Sequence, residues 1–273
     1  MFDAFKVSAI SLRPVKWDKD ANADKMESFF VEAAKDKPDL IVTTEGVLEG
    51  YVVMDVINQI RTPEEMIDLA EPIDGSYIRR FQRLANSLNT CISFGFAERI
   101  GNEIYNTAIF IDYDGQISGK YHKTQLAEGT HPSWNFNRVG QSLRAFDTPL
   151  GRVGIAICND RWNPLIIRTL VLDGANLILI PSYGSKRKAQ NQTVLARARE
   201  NGVPIVEANV GMNLIISHGE VVAYKWGNDQ ITTAIVEIPR GSCEDNAREL
   251  EQIYLQQQKT EMVKRYEQTM NKS

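Results

Sequence analysis

Three residues set far apart along the chain carry the chemistry this sequence offers: Glu45, Lys123 and Cys158. Cys158 lies in Gly154-Ile-Ala-Ile-Cys158-Asn-Asp160-Arg161-Trp-Asn-Pro164. A buried strand runs into the cysteine, a short elbow follows, and Asn163-Pro164 starts a helix. Such an elbow sets the sulfur at the mouth of a sheet, near backbone N–H groups and a helix N-terminus. That setting lowers a thiol pKa and holds an oxyanion. The same segment equally describes a strand whose cysteine is a small core residue. Ile41-Val-Thr-Thr-Glu45-Gly46 puts a carboxylate just beyond the carboxyl end of a second buried strand. Functional groups of α/β sheets sit there, and a glutamate there can take a proton from a thiol; as a lone motif it also fits a solvated loop. Lys123 follows Lys120-Tyr121-His122 at the end of a short strand. It is either a surface lysine or a fixed cation for negative charge on a substrate oxygen.

Other residues compete less well. His122 invites a Cys–His dyad, while His131 and His218 sit in no motif. Cys91 lies within an apolar strand, and Cys243 stands beside Gly241-Ser242 in a polar turn. Three widely spaced cysteines make a poor disulfide framework and contain no C-x-x-C pair, so no metal site is expected.

The elements that must position these residues alternate along the chain. Strands are expected at Phe5 to Leu12, Asp39 to Thr43, Thr90 to Glu98 and Ile104 to Ile111, with a hairpin-like turn at Asp114-Gly115. Helices are expected from Asp18 or Asp20 to Lys35, after the Thr62-Pro63-Glu64-Glu65 capping box, and from Ser76 to Leu88. The second half predicts strands at Arg152–Ile157, Leu177–Pro181, Val203–Ala208, Val221–Trp226 and Ile231–Ile238. Helices fall between Asn163 and Gly174 and from Gln190 to Asn201. Buried strands alternating with amphipathic helices imply sheets covered by helices. No linker or repeat divides the chain, which predicts one domain over residues 1–273. Residues 244–273 predict a helical arm, sparse in apolar residues after Leu255: a solvated tail, or an arm buried only against a partner subunit.

Composition bounds the function. Of 273 residues, 43% are hydrophobic and 24% charged, with a formal net charge of −4. That is globular, with no basic footprint for nucleic acid or anionic membrane. No apolar run is long enough to span a bilayer. The opening Met-Phe-Asp-Ala-Phe-Lys lacks the pattern of a signal peptide, so a cytoplasmic protein is expected.

Taken in order, Glu45, Lys123 and Cys158 resemble the Glu–Lys–Cys set of the nitrilase (carbon–nitrogen hydrolase) superfamily, over the span from the first strand to about Pro239. Gly174-Ala175-Asn176-Leu-Ile-Leu-Ile-Pro181-Ser182 is similar to that family's strand after the cysteine. Ala196-Arg197-Ala198-Arg199-Glu200-Asn201 resembles its RARAxEN helix, and Ala208-Asn209-Val210-Gly211 its ANxxG turn. The resemblance implies an αββα four-layer sandwich that associates through helices into a homodimer or larger homo-oligomer. It implies hydrolysis of a small-molecule amide, carbamoyl compound or nitrile without metal or organic cofactor. Cys158 would be the nucleophile, Glu45 the general base, and Lys123 with the Asn159 backbone N–H the oxyanion donors. Glu128 is the nearest candidate for the family's second active-site glutamate. Thr44, Gln125 and Leu165 depart from the family's usual residues and leave that trio intact.

Cys158-Asn-Asp160-Arg161, with Pro164 following, is closest to the CNDRRWPE run of N-carbamoyl-D-amino-acid amidohydrolases. Arg161 would then anchor a substrate carboxylate bidentately, or pair with Asp160 or a helix end. Tyr51, Trp134, Tyr183 and Trp226 fit a pocket wall, but aromatics more often serve a core or interface and none is taken as a site residue; residues 127–140 are expected at the pocket rim. The leading expectation is a cysteine-dependent amidase or carbamoyl amidohydrolase that forms a thioester and releases ammonia. The variants are a nitrilase and a metal-dependent phosphoesterase built from Glu45, Asp160, Asn209 and His218.

Overall fold

In the computed structural model, residues 2–184, 188–239, 244 and 246–270 are described, Phe2 by its backbone alone. Cys243 and its turn lie outside the described residues. β1 (Phe2–Ile10) leads to α1 (Lys19–Ala34), whose N-cap Asp18 accepts from the Ala21 N–H at 2.9 Å. β2 (Leu40–Val42), α2 (Val53–Ile57), α3 (Pro63–Leu69) and α4 (Ser76–Leu88) follow. α3 starts on the predicted capping box: Thr62 Oγ1 accepts from the Glu65 N–H at 3.2 Å, and the Glu65 carboxylate accepts from the Thr62 N–H at 2.8 Å. β3 (Cys91–Ile100), β4 (Glu103–Ile111) and β5 (Ile117–His122) complete this half.

The second half runs β6 (Phe146–Thr148), β7 (Gly151–Ile155), a 3-10 turn (Cys158–Trp162), α5 (Pro164–Leu172), β8 (Leu177–Ser182) and α6 (Lys188–Asn201). It ends with β9 (Ile205–Asn209), β10 (Met212–Ser217), β11 (Glu220–Trp226), β12 (Ile231–Pro239) and α7 (Ala247–Met270).

Two six-stranded sheets result, ordered β12-β1-β2-β3-β4-β5 and β11-β10-β9-β8-β7-β6. Each has a parallel centre, β1-β2-β3 in one and β7-β8-β9 in the other. The pleat sorts side chains between two cores. Val7, Leu40, Val42 and Phe110 face the second sheet, whereas Ile10, Ile41, Phe94 and Ile109 lie under α1 and α4. Ile166 and Leu170 of α5 and Val194 of α6 cover the other sheet, completing the αββα layers. Strands covered on both sides have no polar face, which is why they read as continuous apolar runs. No described helix is long and apolar enough to cross a membrane.

Three elements have no counterpart in the sequence expectation: α2, β6 and β10. α2 and β6 are five and three residues long, too short for a period to emerge. β10 is buried throughout and hides behind the Val210-Gly211 turn that joins it to β9. The C-terminal arm also corrects the expectation. α7 packs on its own chain, with Tyr254, Gln258 and Met262 buried at four-residue spacing. Two of these three anchors are polar-tipped, so an apolar count overlooks the stripe.

Candidate active site

Glu45 follows β2 and Lys123 follows β5, both in one sheet; Cys158 follows β7 and Tyr183 follows β8, both in the other. The site forms where the carboxyl ends of both parallel centres meet, as strand-end chemistry requires. Gly95 lets β3 pass close beneath Glu45: a Cβ there would lie 2.8 Å from the Glu45 Cα.

Glu45 and Lys123 are buried and paired, the Lys123 Nζ donating to Glu45 Oε1 at 2.6 Å. Asn106 Nδ2 donates to the same oxygen at 2.8 Å, and the Tyr183 N–H donates to Oε2 at 2.8 Å. Three donors from three segments therefore fix the carboxylate plane. Burial pulls the Lys123 pKa down, but Glu45, Cys158 and Glu128 outweigh it, and the net shift is upward.

Cys158 keeps a partly exposed surface and holds φ at +46°, a left-handed value that a β-carbon disfavours. The turn around it is over-determined. The Ile157 N–H donates to Asp160 Oδ2 at 2.7 Å, and the Asp160 N–H donates back to Ile157 O at 3.0 Å. Gln125 clamps the next residue: its Nε2 donates to Asn159 O, and Asn159 Nδ2 donates to Gln125 O, each at 3.1 Å. Burial and then Glu45 push the Cys158 thiol up to about 11, against Lys123 and Arg161. This corrects the expectation of a lowered thiol pKa. α5 begins six residues later and is capped by Asn163 Oδ1, which accepts from the Leu165 N–H at 3.1 Å.

Further acids surround this pair. Asn137 Nδ2 donates to Glu128 Oε1 at 2.8 Å; burial raises the pKa of Glu128, and Lys123 opposes it. Glu49, missed from sequence, takes the Ala97 N–H at 2.9 Å, and burial pushes it up to about 7. Its signal was an acid inside the apolar, glycine-bounded run Gly46–Gly50. Tyr51 stacks on Tyr183 with ring centroids 4.8 Å apart. Burial, then Glu45, Glu128 and Cys158, hold its hydroxyl pKa well above the usual value. Of the other aromatics, Trp134 packs with Phe136 and Tyr266, and Trp226 sits exposed against Tyr224.

Arg161 has other work than holding a substrate carboxylate. It is 1% exposed; its Nη1 pairs with Glu207, its Nη2 with Ser182 Oγ, and its Nε with the Cys158 carbonyl. The bidentate face foreseen for a ligand is taken by the protein, and the partner is Glu207 rather than Asp160. Replacing Arg161 by methionine leaves Glu207 buried without its cation and is expected to cost about 3–5 kcal/mol of stability. The urea midpoint measures it, with an unchanged midpoint counting against the pairing.

His122 turns to Glu98, Nε2 to Oε2 at 2.7 Å, within its own sheet, and forms no dyad with Cys158. The phosphoesterase set does not assemble either. Asp160 is held by the Tyr121 hydroxyl at 2.8 Å and the Gln125 N–H at 2.9 Å, while His218 pairs with Glu237 at 2.9 Å. Among the described residues no group of His, Cys, Asp and Glu converges as a metal site would.

Comparison with known proteins matches these features. Residues 6–248 fit the carbon–nitrogen hydrolase family. A citrullinase of Francisella tularensis is 29% identical over 224 residues, covering 77% of this chain and 75% of that protein. An N-carbamoylputrescine amidase of Oryza sativa is 30% identical over 241 residues, covering 82% and 78%. An amidase from Nesterenkonia sp. shares the fold with a TM-score of 0.72 at 19% identity, over 92% of this chain and 96% of that one. With nearly the whole sandwich inside the matched span, this chain belongs to the carbon–nitrogen hydrolase family.

Proposed function

We propose that the chain hydrolyses a small linear amide or N-carbamoyl compound through a thioester at Cys158. The observation that carries the proposal is the fixed Glu45 carboxylate, tied to the Lys123 ammonium at 2.6 Å at the strand ends that also present Cys158. A thiol whose pKa is pushed up to about 11 rests as the neutral SH, so its proton must move during attack. Glu45 receives that proton as sulfur bonds to the carbonyl carbon. The oxygen becomes an oxyanion beside Lys123 and the Asn159 N–H. Collapse breaks the C–N bond, and the amine leaves with the proton from Glu45. Water, giving a proton to Glu45, then cleaves the thioester and restores the thiol. With a terminal ureido group the acid released is a carbamic acid, which loses carbon dioxide. One substituted urea and one water thus give an amine, ammonia and carbon dioxide.

The citrullinase and the N-carbamoylputrescine amidase support a ureido substrate, since both names describe such compounds. Arg161 acts here by holding the Cys158 carbonyl, and Glu128 shapes the field around Lys123. The proposal treats residues 1–273 as one cytoplasmic hydrolase domain that works without metal as a homodimer or larger assembly. Mass in solution tests the assembly.

The test is ammonia release from ureido compounds, linear carboxamides and nitriles, with and without EDTA. Release from a ureido compound or amide, unchanged by EDTA, is expected. Release from nitriles alone, or loss with EDTA, overturns the proposal.

A further inference from the structure

The family match ends at residue 248, but α7 continues to Met270 and reaches the site. The Tyr254 hydroxyl bonds Thr124 Oγ1 at 2.9 Å, Thr124 Oγ1 bonds the Tyr121 hydroxyl at 2.9 Å, and that hydroxyl donates to Asp160 Oδ2 at 2.8 Å. Asp160 in turn holds the Ile157 N–H at 2.7 Å, one residue before Cys158. Gln258 Nε2 donates to the Thr124 carbonyl, the peptide next to Lys123. Further along, the Thr130 N–H donates to Met262 O at 3.1 Å, and Thr269 Oγ1 donates to Glu128 O at 3.2 Å. Gly129 permits this approach: a Cβ there would lie 2.3 Å from the Tyr266 N. Tyr254, Thr124, Tyr121, Asp160 and Gln258 are each less than 5% exposed.

We propose that Tyr254 and Gln258 are positioning residues, through which α7 keeps the Lys123–Gln125 segment and the Cys158 elbow in register. The inference rests on the hydrolase reading above. Packing alone does not call for it. A helix held only by apolar burial needs no hydroxyl chain ending at the elbow, and buried polar groups are costly unless every partner is present. Lys123 and Cys158 come from different sheets, so their spacing depends on a strut that touches both sides. The Tyr121–Asp160 bond is such a strut, and Tyr254 and Gln258 fix the segment it springs from.

Tyr254→Phe keeps the ring and removes only the hydroxyl; Gln258→Leu keeps the volume and removes the donor to Thr124 O. Each is expected to lower kcat about three- to tenfold, the worth of one hydrogen bond, with KM within about twofold. Ile253→Ser, on the exposed face of α7, is the control and keeps wild-type kcat. A second readout does not need turnover. Lys123 favours the Cys158 thiolate, so a loosened Lys123 slows iodoacetamide alkylation at pH 9 by about threefold. Lower kcat with slowed alkylation, in variants that still melt cooperatively, supports the proposal. Wild-type kcat and alkylation in both variants, or a raised KM with unchanged kcat, overturns it. If the wild type hydrolyses nothing in the panel, the hydrolase reading fails by itself, and the alkylation rates still decide whether α7 positions Lys123.

Discussion

Cys158→Ala is expected to lower kcat for ammonia release by about 10⁴-fold or more, the scale on which removing a nucleophile acts. The loss should be chemical rather than structural. Cys158 adopts φ +46°, a left-handed conformation costing about 1 kcal/mol for any residue with a β-carbon, and alanine bears the same cost as cysteine. The bonds that hold the elbow come from Ile157, Asp160 and Arg161, none of which uses the sulfur. A melting temperature close to wild type with no ammonia release is therefore the expected pair of results. Full activity in the variant would remove Cys158 from the mechanism, leaving the fold assignment untouched.

Glu45→Gln should have opposite effects on two reactions of the same sulfur. Hydrolysis should fall about 10²- to 10⁴-fold, because glutamine cannot carry the proton from thiol to leaving amine. Alkylation by iodoacetamide at pH 9 should become faster. Glu45 is, after burial, the largest influence raising the Cys158 thiol pKa toward about 11. Removing its negative charge leaves Lys123 and Arg161 to favour the thiolate, so the thiol pKa falls and more thiolate exists at pH 9. Glutamine also retains an oxygen that accepts from Lys123 and from Asn106, which limits collapse of the pocket. Competing explanations predict other patterns: a merely structural Glu45 would slow both reactions through disorder, and an uninvolved one would change neither. Alkylation rates across pH 7–10 alongside ammonia release separate these cases.

Much of the fold was legible because local rules and tertiary structure agree. The Thr62 capping box, the Asn163-Pro164 start and the buried run Leu177–Ser182 each satisfy backbone donors or bury apolar side chains in a way that neighbours in sequence specify. β10 escaped because its continuous apolar run is only Leu214–Ile216, bounded by Asn213 and Ser217, and it follows β9 after a two-residue turn. α7 was misjudged because its anchors, Tyr254 and Gln258, are held by hydrogen bonds to Thr124, about 130 residues earlier in the chain.

The site divides in the same way. By itself the sequence determined the order of motifs, the family and the positions of Glu45, Lys123 and Cys158 at the ends of strands. Those follow from residue type and short spacing. Only the tertiary structure decided which groups share space. It brings Asn106, Glu49 and Tyr183 to Glu45 and its loop, turns His122 toward Glu98 and gives Arg161 to Glu207. It also raises the Cys158 thiol pKa, where an elbow alone suggested a lowered one. The physical reason is that electrostatic interaction and desolvation depend on distance through space and on burial. Two sheets packed face to face set both, and neither quantity has a signature along the chain.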